Sequence, residues 1–400
     1  MPRSAGVPVP EQPVRHDLGS GLESPWLRNC SRIAHMGIGE RVAEARAESG
    51  LTQAQLASAV GVDRSALAKI ETGARRVSAV ELVSIARELR RRVEWFVDPG
   101  PESIVSYRAT RPEMATQAID AELDRVVRDV EFVVGQVPSL VAAQPQPAAP
   151  PQTLNEADSL ARLARELLGL RADQPANDLA GLVTRIGLLP FAVSLGHGAD
   201  AGTVLLQNGG VSVVNGDLHV GRRRLALAHE LGHYLVADPY TTDWRIASTE
   251  ADALEARLDR FARALLLPAA DLIVRWSDWL DIPEETLRDA AVRAGSHYRV
   301  DMATLARRLT ELGVVDGDEA TTIRRVQTKR ADIVEKNLVV HHEMEPVSLP
   351  RPYEQAVLGL YRSETISEDR ALGLLFGTFD RDALPDLPPV AESEIWTVTS

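Results

Sequence analysis

Cysteine and long apolar runs are both scarce in this sequence. Its single cysteine, Cys30, has no second thiol to pair with, which excludes an internal disulfide and a cysteine-based metal cluster. No run of about 18 apolar residues occurs, and the N-terminus lacks the basic start and apolar core of a secretory signal. These absences predict a cytoplasmic protein that does not enter a membrane.

Aromatic residues and net positive charge are lacking as well. Aromatics make up 4% of the chain against 44% hydrophobic residues, and the abundance of Ala, Arg and Leu favours helices over sheets. The net charge of -13 argues against diffuse electrostatic binding of nucleic acid, so any DNA contact must come from a local patch. The sequence therefore predicts a mainly α-helical protein with a small sheet.

The length of 400 residues is too great for one ordinary core, and composition divides the chain into five segments. They are a disordered tail at 1–37, a helical domain at 38–97, a helical connector with a proline-rich linker at 98–153, an α+β domain at 154–315 and a helical C-terminal region at 316–400. Strand-like runs occur at 188–193, 202–207 and 211–214, and they predict the one sheet.

Two short helices joined by a tight turn are predicted inside residues 38–97. Thr52 can cap the first, Gly61 supplies the turn, and Asp63 can cap the second. In such a pair the first helix crosses the DNA backbone while the start of the second reaches base edges in the major groove. Arg64, Ser65 and Lys69 lie at or near that start and are candidates for contacting DNA.

The strings Leu51–Ala57, Gly61–Ser65 and Lys69–Arg75 resemble the Xre/Cro family of helix-turn-helix domains. This resemblance implies binding of a double-stranded DNA operator, with contacts at Gln53, Arg64, Ser65 and Lys69 and with Arg75 or Arg76 near a phosphate. Residues 38–97 carry ten basic and eight acidic side chains, a weak local excess of positive charge. A domain that mediates only protein contacts is the alternative. A homodimer is also expected, because many helix-turn-helix proteins read two half-sites.

The clearest chemical signal is the string Ala228–Tyr234, which contains an H-E-x-x-H pattern inside an apolar helical run. Residues four apart share one face of a helix, so His229 and His233 can direct ring nitrogens at one zinc ion at about 2.0–2.1 Å, while Glu230 can take a proton from water. A buried, hydrogen-bonded histidine pair is the alternative.

A catalytic zinc site also needs a third protein ligand. The acids of the next helix are the candidates, and spacing alone does not choose among Glu250, Asp252, Glu255 and Asp259.

The string Arg223–His233, followed by a Glu thirteen residues before the proline of Phe261–Pro268, resembles the ImmA/IrrE family of metallopeptidases. The resemblance covers about residues 154–315 and implies an α+β, zincin-like fold. It also implies zinc ligands His229, His233 and Glu255, with Glu250 as the fallback, and Glu230 as the catalytic base. The family usually has Asn four residues after the third ligand, where this chain has Asp259.

Together the two resemblances imply a DNA-binding transcriptional regulator with zinc-dependent endopeptidase activity toward a regulatory protein such as a repressor. The alternative is a non-catalytic or antitoxin-like regulator that uses the metallopeptidase fold as a sensor or binding module. By fold analogy, the strand at Gly202–Leu206 is expected to align an extended substrate through its free edge. The run Arg222–Arg224 is expected on a solvated face and is given no role.

Overall fold

The chain forms two compact units, Met1–Glu102 and Ser103–Ser400. The computed structural model describes residues 37–49, 51–89, 93–97, 104–109, 114–141, 145–196, 199–237 and 249–387. The predicted disordered tail lies outside these ranges apart from Gly37. None of the helices in the described ranges has the length and apolar character needed to cross a membrane.

The described residues of the N-terminal unit form five helices around a small apolar core. They are α1 (Ile38–Glu48), α2 (Gln53–Val60), α3 (Arg64–Glu71), α4 (Ala79–Glu88) and α5 (Val93–Val97). Thr52 caps α2 as predicted, since its side chain accepts a hydrogen bond from the Gln55 backbone N–H. Gly61 ends α2 at φ +72°, a conformation that favours glycine. Asp63 precedes α3 as predicted, but its carboxylate makes no capping hydrogen bond.

The C-terminal unit contains one sheet and twelve α-helices in the described residues. Its strands are β1 (Ile104–Ala109), β2 (Leu188–Val193), β3 (Ala199–Leu205) and β4 (Gly210–Asn215). Its helices are α6 (Met114–Gln136), α7 (Leu154–Leu167), α8 (Leu179–Arg185), α9 (Val220–Val236), α10 (Thr249–Leu266), α11 (Ala269–Leu280), α12 (Leu287–Tyr298), α13 (Met302–Glu311), α14 (Gly317–Arg324), α15 (Arg330–Glu335), α16 (Arg351–Arg362) and α17 (Glu368–Leu374). The mainly α architecture with a small sheet is confirmed.

The four strands lie in the order β1-β3-β4-β2. Strand β3 runs antiparallel to both β1 and β4, whereas β2 runs parallel to β4. Strands β2 to β4 match the predicted runs to within three residues, but β1 lies in the segment predicted as a connector. The sheet therefore has one strand more than the sequence predicted.

The sheet lies between two apolar cores of the C-terminal unit. Successive side chains of each strand point to opposite faces, so each face contributes to a different core. Ala201 and Val214 belong to the core shared with α9, while Val204 and Val213 belong to a second core. That second core is completed by α6 and α16. This arrangement differs from the predicted division, in which α6 was a connector and α16 part of a separate C-terminal region. Both helices instead cover the face of the sheet away from α9.

The prediction of a solvated face for Arg222–Arg224 at the start of α9 was wrong for Arg223 and Arg224, while Arg222 is partly exposed. Arg224 is 1% exposed, and its guanidinium donates to the Ala176 carbonyl at 2.5 Å and to the Glu343 carboxylate. Arg223 is also buried and donates to the Gly216 carbonyl at 2.8 Å. The first turn of α9 is covered by surrounding chain, which sequence periodicity alone does not reveal.

A cluster of charged side chains fixes α10 against α7 and α13. Asp158 of α7 pairs with Arg260 of α10 at 2.7 Å and with Arg308 of α13 at 2.9 Å. Glu311 of α13 pairs with Arg263 of α10 at 2.7 Å. Shared ion pairs of this kind restrict the position of each helix, and α10 carries one of the candidate metal ligands.

Candidate metal centre and nucleic-acid interface

Helix α9 carries three of the predicted site residues in its C-terminal half. His229, Glu230 and His233 are all buried. The two histidines lie one turn apart on the face toward α10, and their Nε2 atoms are 3.2 Å from each other. The helix thus turns both imidazole rings toward one point between α9 and α10.

Gly232 allows α9 and α10 to approach closely beside the histidines. A Cβ atom at this position would lie 3.0 Å from the Phe261 ring and 3.1 Å from the Leu258 side chain. Contacts this short would require both α10 side chains to shift. The absence of a side chain at position 232 therefore helps to bring Glu255 within reach of the two imidazoles.

Glu255 completes a group of three donor atoms. One carboxylate oxygen lies 3.0 Å from His229 Nε2 and the other 3.2 Å from His233 Nε2. In a tetrahedral site with zinc–nitrogen bonds of about 2.0–2.1 Å, neighbouring donor atoms are about 3.3 Å apart. The three observed separations are close to that value, and two nitrogens with a carboxylate are a donor set that zinc favours. These residues fit a zinc ion.

The pKa shifts of His229 and Glu255 are consistent with a cation between them. Burial lowers the pKa of His229, but Asp259 and Glu255 raise it more, to about 9. Burial raises the pKa of Glu255, but hydrogen bonds with both histidines hold it well below its usual range. Both shifts mean that the cluster favours a positive charge at its centre, and a divalent metal ion supplies one.

Glu230 lies on the side of α9 that faces the sheet. Its side chain is fully buried, and neither carboxylate oxygen makes a hydrogen bond of ordinary geometry with a described residue. Thr203 of β3 lies nearby on the same face of the sheet, and its hydroxyl donates to Ser212 at 3.1 Å. Burial raises the pKa of Glu230, although the two histidines partly oppose this effect. A buried carboxyl group that lacks hydrogen-bond partners of ordinary geometry among the described residues and lies next to a candidate metal-binding cluster is suited to accepting a proton.

The remaining acids of α10 have different positions. Asp259, which stands where the ImmA/IrrE family usually has Asn, places Oδ1 at 3.0 Å from His229 Nδ1. A carboxylate on the second ring nitrogen orients a metal-binding imidazole and increases its basicity. The side chains of Glu250 and Asp252 lie outside the described residues. Glu255 itself is 43% exposed, so the centre is open to solvent on this side.

The residues predicted to contact DNA fall into two groups in the N-terminal unit. Arg64, Ser65 and Lys69 are exposed on α3, with Ser65 and Lys69 one turn apart on the same face. Gln53 and Arg75 have partners within the protein. Gln53 donates to Glu71 at 2.7 Å, and Arg75 pairs with Glu81 at 2.8 Å while remaining 41% exposed.

Glu71 explains why Gln53 is half-buried. This buried carboxylate accepts from Arg46 Nε at 2.6 Å as well as from Gln53, and so ties α1, α2 and α3 together. The Gln53 side-chain amide therefore makes a hydrogen bond within the protein, in addition to the contact with DNA that the sequence predicts. The three exposed α3 residues form the better surface for a DNA groove.

Comparison with known families matches both units. Residues 42–96 match the family model described as Helix-turn-helix, and residues 185–310 match the one described as IrrE N-terminal-like domain. The chain therefore joins an Xre-type helix-turn-helix domain to an ImmA/IrrE-like domain. No curated protein and no solved structure matches the chain at a significant level.

Two residues that shape the candidate metal centre were not among the predicted site residues. Gly232 lies inside the H-E-x-x-H string, and a small residue on a buried helix face is a visible signal of close packing. Thr203 gave no such signal, because its position beside Glu230 depends on the register of β3 with β4.

Proposed function

We propose that this protein is a DNA-binding transcriptional regulator whose C-terminal unit is a zinc-dependent endopeptidase. Its substrate is a regulatory protein such as a repressor, and it acts in the cytoplasm. The observation that carries the proposal is the convergence of the His229, His233 and Glu255 donor atoms, which lie within 4.8 Å of one another beside the buried Glu230. The match to the IrrE N-terminal-like domain over the same residues supports it.

His229, His233 and Glu255 would hold the zinc ion, and Asp259 would orient His229 through Nδ1. When bound, zinc polarises a substrate carbonyl and makes water more acidic. Because Glu255 and Asp259 are partly exposed, a peptide and water can approach the centre from the α10 side. Burial and the contact with Asp259 restrict the His229 imidazole, which reduces the side-chain entropy lost when zinc binds.

Glu230 is the general base in this proposal. Its carboxylate accepts a proton from the water that attacks the peptide carbonyl, and then gives the proton to the leaving amine. Burial raises the pKa of Glu230, which makes its carboxylate a stronger proton acceptor.

The N-terminal unit would bind an operator through α3. Arg64 and Ser65 in its first turn and Lys69 one turn later would enter the major groove, with Gln53 beside them. Arg75 would contact a phosphate at the expense of its pair with Glu81. A homodimer would place two copies of α3 on successive half-sites.

Cleavage of an unidentified host protein tests the peptidase. The zinc-loaded full-length protein is incubated with a lysate of its own host cell, and new protein N-termini are compared with those from a chelator-treated sample. The proposal predicts a small set of new N-termini that require zinc. If no zinc-dependent fragment arises, the non-catalytic sensor or binding module becomes the better account.

Substituting Arg64 by Ala tests the DNA-binding surface. Arg64 is exposed, so the fold should be unaffected, while loss of a base contact is worth about 1–3 kcal/mol, or roughly five- to 150-fold in affinity. Duplexes selected by the wild-type protein from a random pool serve as the probe in a binding titration. Arg87→Ala, which removes the same charge from the exposed surface of α4, is the matched control and should bind normally. Equal affinity of both variants would exclude Arg64 from the interface.

A further inference from the structure

Strand β3 lies beside the proposed base. Its residue Thr203 belongs to the face of the sheet that packs against α9 and lies near Glu230. The inner edge of β3 pairs with β4 along Ala201–Leu205. A peptide that lay along the outer edge of β3 would therefore run beside the metal centre.

A second sheet edge is a poorer place for a peptide. It is formed by β2, which is separated from β3 by β4. It is also partly covered, because Ala192 and Ser348 exchange two backbone hydrogen bonds of 2.9 Å. The edge that suits an extended substrate is thus that of β3, since an extended segment binds by adding a strand to an open edge.

That edge is already occupied by the chain itself. Strand β1 pairs antiparallel with β3, with Ile104 opposite Leu205, Ser106 opposite Thr203 and Ala109 opposite Ala199. It covers almost the whole length of β3. The expectation that Gly202–Leu206 offers a free edge to a substrate is therefore wrong for this state of the protein.

We propose that β1 is an internal occupant of the peptide-binding edge, which a substrate segment must displace before it can be cleaved. The inference rests on the proposed peptidase function and adds its regulation. The ligand is an extended peptide that pairs antiparallel with β3, as residues 104–109 do.

Three features make β1 suitable for displacement. It has six residues and, within the described part of the chain, pairs with the sheet on one side only. Its register shifts between Arg108 and Ala109, which interrupts regular pairing at one end. Its sequence, Ile-Val-Ser-Tyr-Arg-Ala, contains the β-branched and aromatic residues that favour strands. An incoming peptide of similar composition can replace each backbone hydrogen bond that β1 gives up.

The position of β1 in the chain also suits a regulatory segment. It begins seven residues after Val97, where the last helix of the N-terminal unit ends. The segment that fills the edge is thus the one that follows the DNA-binding unit, and not a loop from within the peptidase fold.

Two proline substitutions test the proposal with a built-in control. Along an antiparallel edge strand, successive N–H groups point alternately to the neighbouring strand and to solvent. Of Val105→Pro and Ser106→Pro, one therefore removes a donor to β3 and the other removes a donor to solvent, which an edge strand tolerates. We expect one of the two variants to release the edge and the other to behave as wild type.

The first readout is peptide binding and does not depend on catalysis. A fluorescent synthetic peptide with the sequence of residues 103–110 is titrated into full-length protein that also carries Glu230→Gln. If β1 fills the edge in about nine molecules of ten, releasing it strengthens peptide binding about tenfold. The second readout is zinc-dependent cleavage of fluorescent casein with Glu230 intact, which should rise by a similar factor in the same variant.

The outcomes separate this inference from the proposed function. Stronger peptide binding in one proline variant without any cleavage would support β1 as the occupant and count against the peptidase. Cleavage and peptide binding that are equal in wild type and both variants would overturn the role of β1 and leave the peptidase standing.

Hydrogen exchange of the wild-type protein provides a measurement that needs no variant. Local opening of β1 predicts that amides paired between β1 and β3 exchange much faster than amides paired between β3 and β4. Equal protection of the two sets would overturn the inference, even if both proline variants failed to fold.

Discussion

Replacing Glu230 by Gln is expected to abolish cleavage while zinc remains bound. A general base contributes about 10²–10⁴-fold to the rate, and Gln has no carboxylate to accept the proton. His229, His233 and Glu255 are unchanged, so the donor set for zinc stays complete. The fold should also persist, because Gln has nearly the same shape and removes the penalty of a buried charge at a fully buried position.

Zinc content, thermal stability and production of new protein N-termini are measured together on this variant. Glu166→Gln, the same chemical change at an exposed position of α7, is the control and should cleave like the wild type. Undiminished cleavage by the Glu230→Gln protein would contradict the role of Glu230. Loss of both zinc and cleavage would instead make Glu230 part of the metal site.

Replacing Glu343 by Ala is expected to produce a large loss of stability. Glu343 accepts a hydrogen bond from the Arg224 guanidinium and lies 3.6 Å from Arg299. Arg224 is 1% exposed. Removal of the Glu343 carboxylate therefore leaves the Arg224 guanidinium as a buried cation, with only the Ala176 carbonyl as a described acceptor. Breaking a buried ion pair in this way costs about 3–5 kcal/mol, a large part of the usual free energy of unfolding.

Chemical unfolding of the C-terminal unit measures this effect. Glu345→Ala is the matched control, since Glu345 is two residues away and pairs at 2.6 Å with the exposed His342. Its loss should change stability by less than about 0.5 kcal/mol. The double variant Arg224→Met/Glu343→Leu should recover much of the stability, because it removes both buried charges. Equal stability of the two single variants would show that Arg224 does not depend on Glu343.

Sequence pattern predicted the elements that carry the metal centre well. The apolar helical run around Ala228–Tyr234 and the acidic helix after it were both predicted, and they correspond to α9 and α10. The H-E-x-x-H string specified the relative placement of His229 and His233, because the geometry of one helix determines it. Selection of Glu255 needed the family resemblance, since the approach of α10 to α9 depends on packing at Gly232.

Long-range packing accounts for what the sequence did not predict. Strand β1 is short and lies between prolines, so its pattern did not stand out until β3 provided a partner. The burial of Arg224 depends on Glu343, which lies 119 residues later in the chain. The role of α6 as a cover for the sheet likewise depends on tertiary contacts that leave no local signal.

Metal content of the purified protein tests the central claim most directly. Wild type should contain about one zinc ion per chain by elemental analysis, and His229→Ala and Glu255→Ala should each lose it, since each removes one of three protein ligands. His342→Ala, a substitution at an exposed histidine, should keep the zinc. A folded wild-type protein without metal, or zinc that persists in both ligand variants, would contradict the proposed metallopeptidase centre.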